Sequence, residues 1–232
     1  KVYDVGVASL TDQSVNDQKI YTDRMGRVWA LVGDGTLAVL DRKLDRFVPV
    51  PAINKAKCML QSKDGTYYFG TVGMGLWRIH PPTRDTLQIL DVKDLPEEVN
   101  RLAEHQNGIF AATTRGVFQW KNLETTWLKA PVQGDDNYSA ITASEHFGLW
   151  LGTLKNGLYR LDEETSAFEP FNGFKDEPLP GNLDIADLRF DSQQRLWVST
   201  LENGVFLIDF QNEGIQHLTN DKYNRNSLLS NK

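Results

Sequence analysis

The chain has 232 residues, 40% of them hydrophobic and 24% charged, an ordinary balance for a globular protein with one large core or two small ones. Its 25 Lys and Arg against 31 Asp and Glu give a formal charge of −6, which opposes non-specific attraction to nucleic acid and to anionic membrane surfaces. The single cysteine, Cys58, excludes an internal disulfide and an all-cysteine metal site, and no run approaches the roughly 18 apolar residues of a membrane helix.

The opening "KVYDVGVASL" has no cleavable-signal pattern, so the expectation is a cytosolic chain or one whose leader has been trimmed. Residues 3–11, "YDVGVASLT", read as the outer strand of a preceding unit. After it the chain says one thing five times: "RVWALVGDGTLAVLD" (27–41), "YYFGTVGMGLWRIH" (67–80), "IFAATTRGVFQW" (109–120), "LWLGTLKNGLYRLD" (149–162) and "LWVSTLENGVFLID" (196–209). Each is two runs of alternating apolar and polar residues joined by a glycine-containing turn, the signature of a β-hairpin. The first-strand aromatics Trp29, Tyr68, Phe110, Trp150 and Trp197 are separated by 39, 42, 40 and 47 residues. A period near 40 without predicted helices falls in the range of propeller blades.

Flanking runs make each unit four-stranded. Upstream lie "AKCML" (56–60), "VNRLAE" (99–104), "SAITAS" (139–144) and "IADLRF" (185–190), each leading through a short polar turn into the aromatic strand. Downstream lie "FVPV" (47–50), "LQIL" (87–90), "FEPF" (168–171) and "IQHL" (215–218). A lone four-stranded sheet cannot bury both its faces, so the copies must stack, and radial stacking leaves only short edges exposed. The competing β-helix has shorter repeats. The expected fold is therefore an all-β propeller of four-stranded antiparallel blades. Its divisions are 1–17 as linker or outer strand of a preceding blade, blades at 18–51, 54–90, 97–131, 138–172 and 183–219, and 220–232 as linker to a further repeat. The hairpin glycines Gly35, Gly75, Gly116, Gly157 and Gly204 are expected to serve the turn, and the regularly spaced aromatics to fill the space between blades.

An apolar strand, a turn ending in Gly, Leu-Trp-x-Gly-Thr, a short turn, Gly-Leu-Tyr-Arg and a closing aromatic resemble the two-component regulator propeller repeat. "LWLGTLKNGLYRLDEETSAFEPF" (149–171) carries this pattern in full, and "LWVSTLENGVFLID" has Ser199 in place of the glycine. The copies at 27–41 and 109–120 depart further, lacking the Gly-Thr pair or its glycine. The resemblance runs from about Gln18 to the end, where "NDKYNRNSLLSNK" (220–232) is similar to the linker opening another repeat. It implies the periplasmic or extracytoplasmic sensor of an inner-membrane hybrid histidine kinase or diguanylate cyclase, responding to a saccharide or other nutrient. It also implies further repeats and a membrane-linked signalling domain, and a homodimer is a compatible assembly.

A catalytic reading finds little to build on. His80, His105, His146 and His217 form no pair with metal-ligand spacing. His105 and His146 follow Glu104 and Glu145 in equivalent turns, which read as solvated turn residues before ligands. Acidic runs such as Glu97-Glu98 and Asp162-Glu163-Glu164 fall in predicted loops, and "SKDG" (62–65) is similar to the aspartate box of sialidases but one residue short and single. No metal or cofactor is expected, and any catalytic domain is placed outside this chain.

Binding is placed on loops, which a rigid scaffold commonly uses for recognition. The loops entering each innermost strand and those joining second and third strands share one face in a propeller. They supply Asp34, Asn54, Lys55, Arg115, Asp136, Tyr138, Lys155, Asn156, Glu202 and Asn203 as candidate contacts to a small polar ligand such as a saccharide. Ordinary hydrophilic turns are the alternative for each. The functional expectation is thus a non-catalytic sensor module, with no nucleic-acid partner. A protein-interaction scaffold and a carbohydrate-active or lyase-type propeller enzyme remain the alternatives.

Overall fold

Alternating runs of β-branched, aromatic and aliphatic residues broken by Asp, Asn and Gly become short antiparallel strands throughout the computed structural model. It describes residues 19–32, 35–50, 53, 55–79, 98–106, 108–121, 124–128, 137–224 and 227–231. All the described regular structure is β. Two compact units are present, Lys1–Val99 and Asn100–Lys232.

In the first unit, β1 (Lys19–Thr22), β2 (Val28–Leu31), β3 (Leu37–Asp41) and β4 (Arg46–Pro49) form a sheet in sequence order. A second sheet has three described strands, β5 (Ala56–Gln61), β6 (Tyr67–Thr71) and β7 (Leu76–Ile79). The expected fourth strand at 87–90 lies outside the described residues, as do the expectations for 1–17. Trp29, Leu31 and Leu37 of the first sheet bury against Ala56, Met59, Tyr67 and Phe69 of the second.

Three four-stranded sheets follow, each again in sequence order. They are β8 (Val99–His105), β9 (Gly108–Thr113), β10 (Val117–Lys121) and β11 (Glu124–Leu128); β12 (Tyr138–Ser144), β13 (Gly148–Thr153), β14 (Leu158–Asp162) and β15 (Ala167–Pro170); and β16 (Ile185–Phe190), β17 (Leu196–Thr200), β18 (Val205–Asp209) and β19 (Gly214–Leu218). The outer strand β11, "ETTWL", carries too many polar residues for the alternation to single it out in sequence, and backbone pairing with β10 defines it.

Burial follows strand alternation. Ile141, Leu149, Leu151, Tyr159 and Phe168 on one face of the β12–β15 sheet pack with Phe110, Ala112 and Val117. Ala140, Trp150 and Leu158 on its other face pack with Ile185, Leu188, Leu196, Val198, Phe206 and Ile208. Within each unit the core therefore lies in layers between successive sheets, which is how a sheet with two apolar faces escapes water. A bulge interrupts the first strand of three sheets, between Ala56 and Cys58, Tyr138 and Ala140, and Ile185 and Asp187.

Candidate functional site

The turns between second and third strands are built by the threonine that ends the second strand. Thr153 Oγ1 accepts the Asn156 N–H at 2.9 Å and donates to the Gly157 carbonyl at 3.1 Å. Thr200 repeats this with Asn203 N–H at 2.8 Å and the Gly204 carbonyl at 2.8 Å. Thr71 and Thr113 donate to the Gly75 and Gly116 carbonyls at 2.8 and 2.7 Å. All four threonines are buried. The closing glycine is required on two counts at Gly157, where φ is +73° and a Cβ would lie 2.8 Å from the Gly181 carbonyl oxygen.

The same turns meet the segments that enter the first strands. Val72 N–H donates to the Lys55 carbonyl at 2.9 Å, Leu154 N–H to Asn137 at 3.1 Å, and Leu201 N–H to Asp184 at 2.9 Å. Leu154 also bridges to Asp184 at the start of the following sheet. One end of each of these sheets therefore gathers an entry segment and a turn, and Lys55, Lys155 and Glu202 present exposed side chains there. Asn156 is half-buried in its turn, and Asn203, though exposed, uses its carbonyl to hold His217 Nε2 at 2.7 Å. Arg115 is exposed in the β9–β10 turn, where its amide donates to Thr113 Oγ1 at 3.2 Å. Asp34, Asn54 and Asp136 lie outside the described residues.

Tyr138 requires a correction. It is 2% exposed and belongs to the layer with Ala112 and Leu151, because it begins strand β12 instead of ending the loop before it. Its carbonyl accepts from the buried Asn100 side chain at 2.9 Å, which also donates to Asn137 Oδ1 at 2.6 Å.

The titrating groups with the largest shifts lie in two other turns. Asp23 Oδ1 accepts the Met25 and Arg27 amides at 2.9 Å, while Oδ2 accepts from Arg27 Nε at 2.7 Å, the Tyr67 hydroxyl at 2.9 Å and Trp29 Nε1 at 3.0 Å. Asp191 repeats the arrangement with the Gln193 and Arg195 amides, Arg195 Nε at 2.9 Å and Trp197 Nε1 at 3.0 Å. Burial works to raise both carboxyls, but the hydrogen bonds from tryptophan and arginine outweigh it and hold each at about 2. These carboxylates are saturated with donors, so their chemistry is to fix a turn and an indole. Neither is poised as an acid or base near neutral pH.

His105 is drawn out of the solvated role expected for it. Its Nε2 lies 2.8 Å from Glu163 Oε1, and Gln106 donates to Oε2 of the same carboxylate at 2.5 Å. These contacts, the His105 hydrogen bond first, lower the Glu163 pKa. The pair joins the β8–β9 turn to the β14–β15 turn. Among the described residues no three His, Cys, Asp or Glu side chains gather as a metal centre.

No family model and no curated protein matches the sequence. Two structures of the extracellular domain of BT4673 from B. thetaiotaomicron are similar in fold, one describing that protein as a one-component system and the other as a hybrid two-component system. They align with TM-scores of 0.72 and 0.73 at 20% and 21% identity over 95% of this chain. This chain spans 30% of the length of that domain. Virginiamycin B lyase from Staphylococcus aureus aligns with a TM-score of 0.67 at 13% identity, over 85% of this chain and 67% of the lyase. The shared property is the fold, which here is all-β and built of small antiparallel sheets.

Proposed function

We propose that the chain is part of the extracytoplasmic sensor of a membrane-bound signalling protein, a hybrid histidine kinase or diguanylate cyclase, and that its sheets are blades of a propeller. The observation that carries this reading is the fold similarity to the BT4673 extracellular domain across 95% of the chain. The repeat motifs agree with it, since the Leu-Trp-x-Gly-Thr pattern is used here to build sheets and turns and leaves the loop tips free to vary. The sensor is non-catalytic, and the signal is a small polar ligand such as a saccharide. It is received at the sheet ends that carry Lys55, Arg115, Lys155, Asn156, Glu202 and Asn203, together with Asp34, Asn54 and Asp136. Binding transmits a signal only through differential affinity for two arrangements of the assembly, a homodimer in this proposal.

A thermal-shift screen of saccharides tests the ligand class. The expected result is an upward shift for one glycan family, reduced by Arg115→Ala or Lys155→Ala. A shift that both variants leave unchanged would place the site elsewhere. The similarity to virginiamycin B lyase supports a second reading, a lyase acting on a compound such as virginiamycin B. Incubation with virginiamycin B and mass analysis of the product separates the two, because the sensor leaves the compound intact.

A further inference from the structure

Aspartate builds turns at one end of several sheets, and the same turn recurs with different tips. Asp41 Oδ1 accepts the Lys43 and Leu44 amides at 2.8 and 3.0 Å. Asp162 Oδ1 accepts Glu164 and Thr165 at 2.8 and 2.9 Å, and Asp209 Oδ1 accepts Gln211 and Asn212 at 3.0 and 3.2 Å. The tips are Arg42-Lys43-Leu44 in the first of these turns, Glu163-Glu164-Thr165 and Phe210-Gln211-Asn212 in the others. The Asp23 and Asp191 turns make a second comparison, with Arg24-Met25-Gly26 in one and Ser192-Gln193-Gln194 in the other. The aspartate makes the turn in every copy, so the cations and apolar side chains at the first unit's tips answer no demand of the turn itself.

In the first unit these turns are bonded into one rim. Arg24 donates through Nη1 to the Lys63 carbonyl and through its amide to Gln61 Oε1, both at 2.8 Å, and Arg42 Nη2 donates to the Gly26 carbonyl at 2.7 Å. The β1–β2, β3–β4 and β5–β6 turns thus share one end of the unit, opposite the end that carries Lys55. Both guanidiniums spend these bonds on neutral carbonyls and keep their charge. Arg24, Arg27, Arg42, Lys43, Arg46 and Lys63 are all exposed there. Of the rim's carboxylates, Asp23 is buried and saturated, Asp41 and Asp64 accept turn amides, and Asp45 is exposed. The corresponding turns of the β12–β15 and β16–β19 sheets, at 145–147, 162–166, 191–195 and 209–213, carry seven carboxylates and a single arginine. The basic rim is therefore a property of the first unit and not of the repeat.

Met25 and Leu44 stand out from this rim, 74% and 56% exposed. One exposed apolar side chain is ordinary. Two at turn tips, each flanked by arginine or lysine, make a surface suited to lipid, where apolar tips enter the headgroup layer and cations meet anionic headgroups.

We infer that this rim is a membrane-contact surface, which seats the first unit on anionic phospholipid through Met25 and Leu44, with Arg24, Arg42 and Lys43 against the phosphates. The formal charge of −6 on the whole chain does not oppose this at close range, because salt screens more distant carboxylates beyond about 8–10 Å. A soluble polyanion would match the cations but would give Met25 and Leu44 nothing to bury into, which favours lipid. The inference goes beyond the sensor reading by giving the first unit an orientation, with lipid at one end and Lys55 at the other.

The test is flotation of the 232-residue chain with vesicles of phosphatidylglycerol and phosphatidylcholine in equal parts, against vesicles of phosphatidylcholine alone. Binding is expected to the anionic vesicles and to weaken as salt rises. Lys43→Glu should weaken it by on the order of tenfold, since each cation near such a surface contributes a factor of about five. Met25→Ser with Leu44→Ser should weaken it by about tenfold or more, a loss that a purely electrostatic contact would not show. The turn bonds at 25, 43 and 44 use backbone amides, so these variants keep the fold. Lys175→Gln with Lys222→Gln makes the same change in net charge at exposed positions outside the rim and should leave binding unchanged. Absence of binding to the anionic vesicles, or equal binding to both kinds, would overturn the inference. A loss in the Lys175 and Lys222 variant equal to that of Lys43→Glu would reduce the effect to net charge and overturn it as well. Vesicle binding that Met25→Ser with Leu44→Ser leaves unchanged, in a chain that dextran sulfate retains equally, would assign the rim to an anionic polysaccharide instead. The sensor reading is decided separately, by the saccharide screen at Arg115 and Lys155.

Discussion

The carboxylate of Asp191 accepts the indole N–H of Trp197 at 3.0 Å, and Asp23 holds Trp29 at the same distance six residues away in its own turn. In both turns an arginine four residues after the aspartate, Arg195 or Arg27, binds the same carboxylate oxygen. Trp150 is anchored differently, through the Phe147 carbonyl at 2.9 Å. The charged anchor makes two of the sheets sensitive to acid.

Each aspartate sits at about 2 in the folded protein, below its ordinary 3.8. A depressed carboxyl contributes stability that is fully present above its unfolded pKa and is lost as pH falls through the folded one. For the buried Asp23 the contribution is on the order of 2 kcal/mol. Urea midpoints measured from pH 6 to pH 2 should therefore fall between about pH 4 and pH 2. Asp23→Asn with Asp191→Asn should be less stable at neutral pH and flatter over that window. An acid limb as steep in the double variant as in the parent would assign the acid sensitivity to other carboxylates.

Thr153 is buried and makes two bonds inside one turn, so its hydroxyl has no water to fall back on. Thr153→Val keeps the shape and removes both bonds, so the Asn156 amide loses the Oγ1 acceptor and the Gly157 carbonyl keeps the Thr153 N–H alone of its two Thr153 donors. The expected loss is about 1–3 kcal/mol by chemical denaturation, with Thr153→Ser closer to the parent. A neutral Thr153→Val would mean that the Gly157 backbone pairing with Thr153 N–H at 3.1 Å is sufficient to define the turn.

Strand positions and turn glycines were legible because period-two alternation and positive-φ turns are local properties. The strand at 185–190 is the expected one, and Gly157 occupies the turn conformation that glycine favours. Tyr138 was misread because a tyrosine after Asp-Asp-Asn resembles a loop residue, and its burial depends on Ala112 and Leu151, which lie in other strands. The aspartate anchors were missed although a signal existed. Asp-x-x-x-Arg-x-Trp occurs at both 23–29 and 191–197, a spacing that returns the carboxylate to the indole only once the turn is folded. The loop candidates illustrate the opposite limit. Side-chain type alone does not tell a turn that binds its own backbone from one that binds a ligand.

Two glycines separate steric from conformational requirement. Gly152 has ordinary strand backbone, but a Cβ there would lie 2.4 Å from Ile185 Cγ2 and 2.9 Å from Ile185 Cβ. Ile185 is fully buried and β-branched, so it has little freedom to retreat. Gly73, in the β6–β7 turn, has a φ of +76° with nothing within 4 Å of the added atom. Gly152→Ala should cost about 1–3 kcal/mol through overpacking, and Gly73→Ala about 1 kcal/mol through backbone strain alone. A double-mutant cycle makes the distinction sharp. Ile185→Ala should relieve part of the Gly152→Ala penalty, with a coupling of roughly 0.5–3 kcal/mol, and should leave the Gly73→Ala penalty as it was. Additive losses for Gly152→Ala and Ile185→Ala would show that the two residues do not compete for the same space.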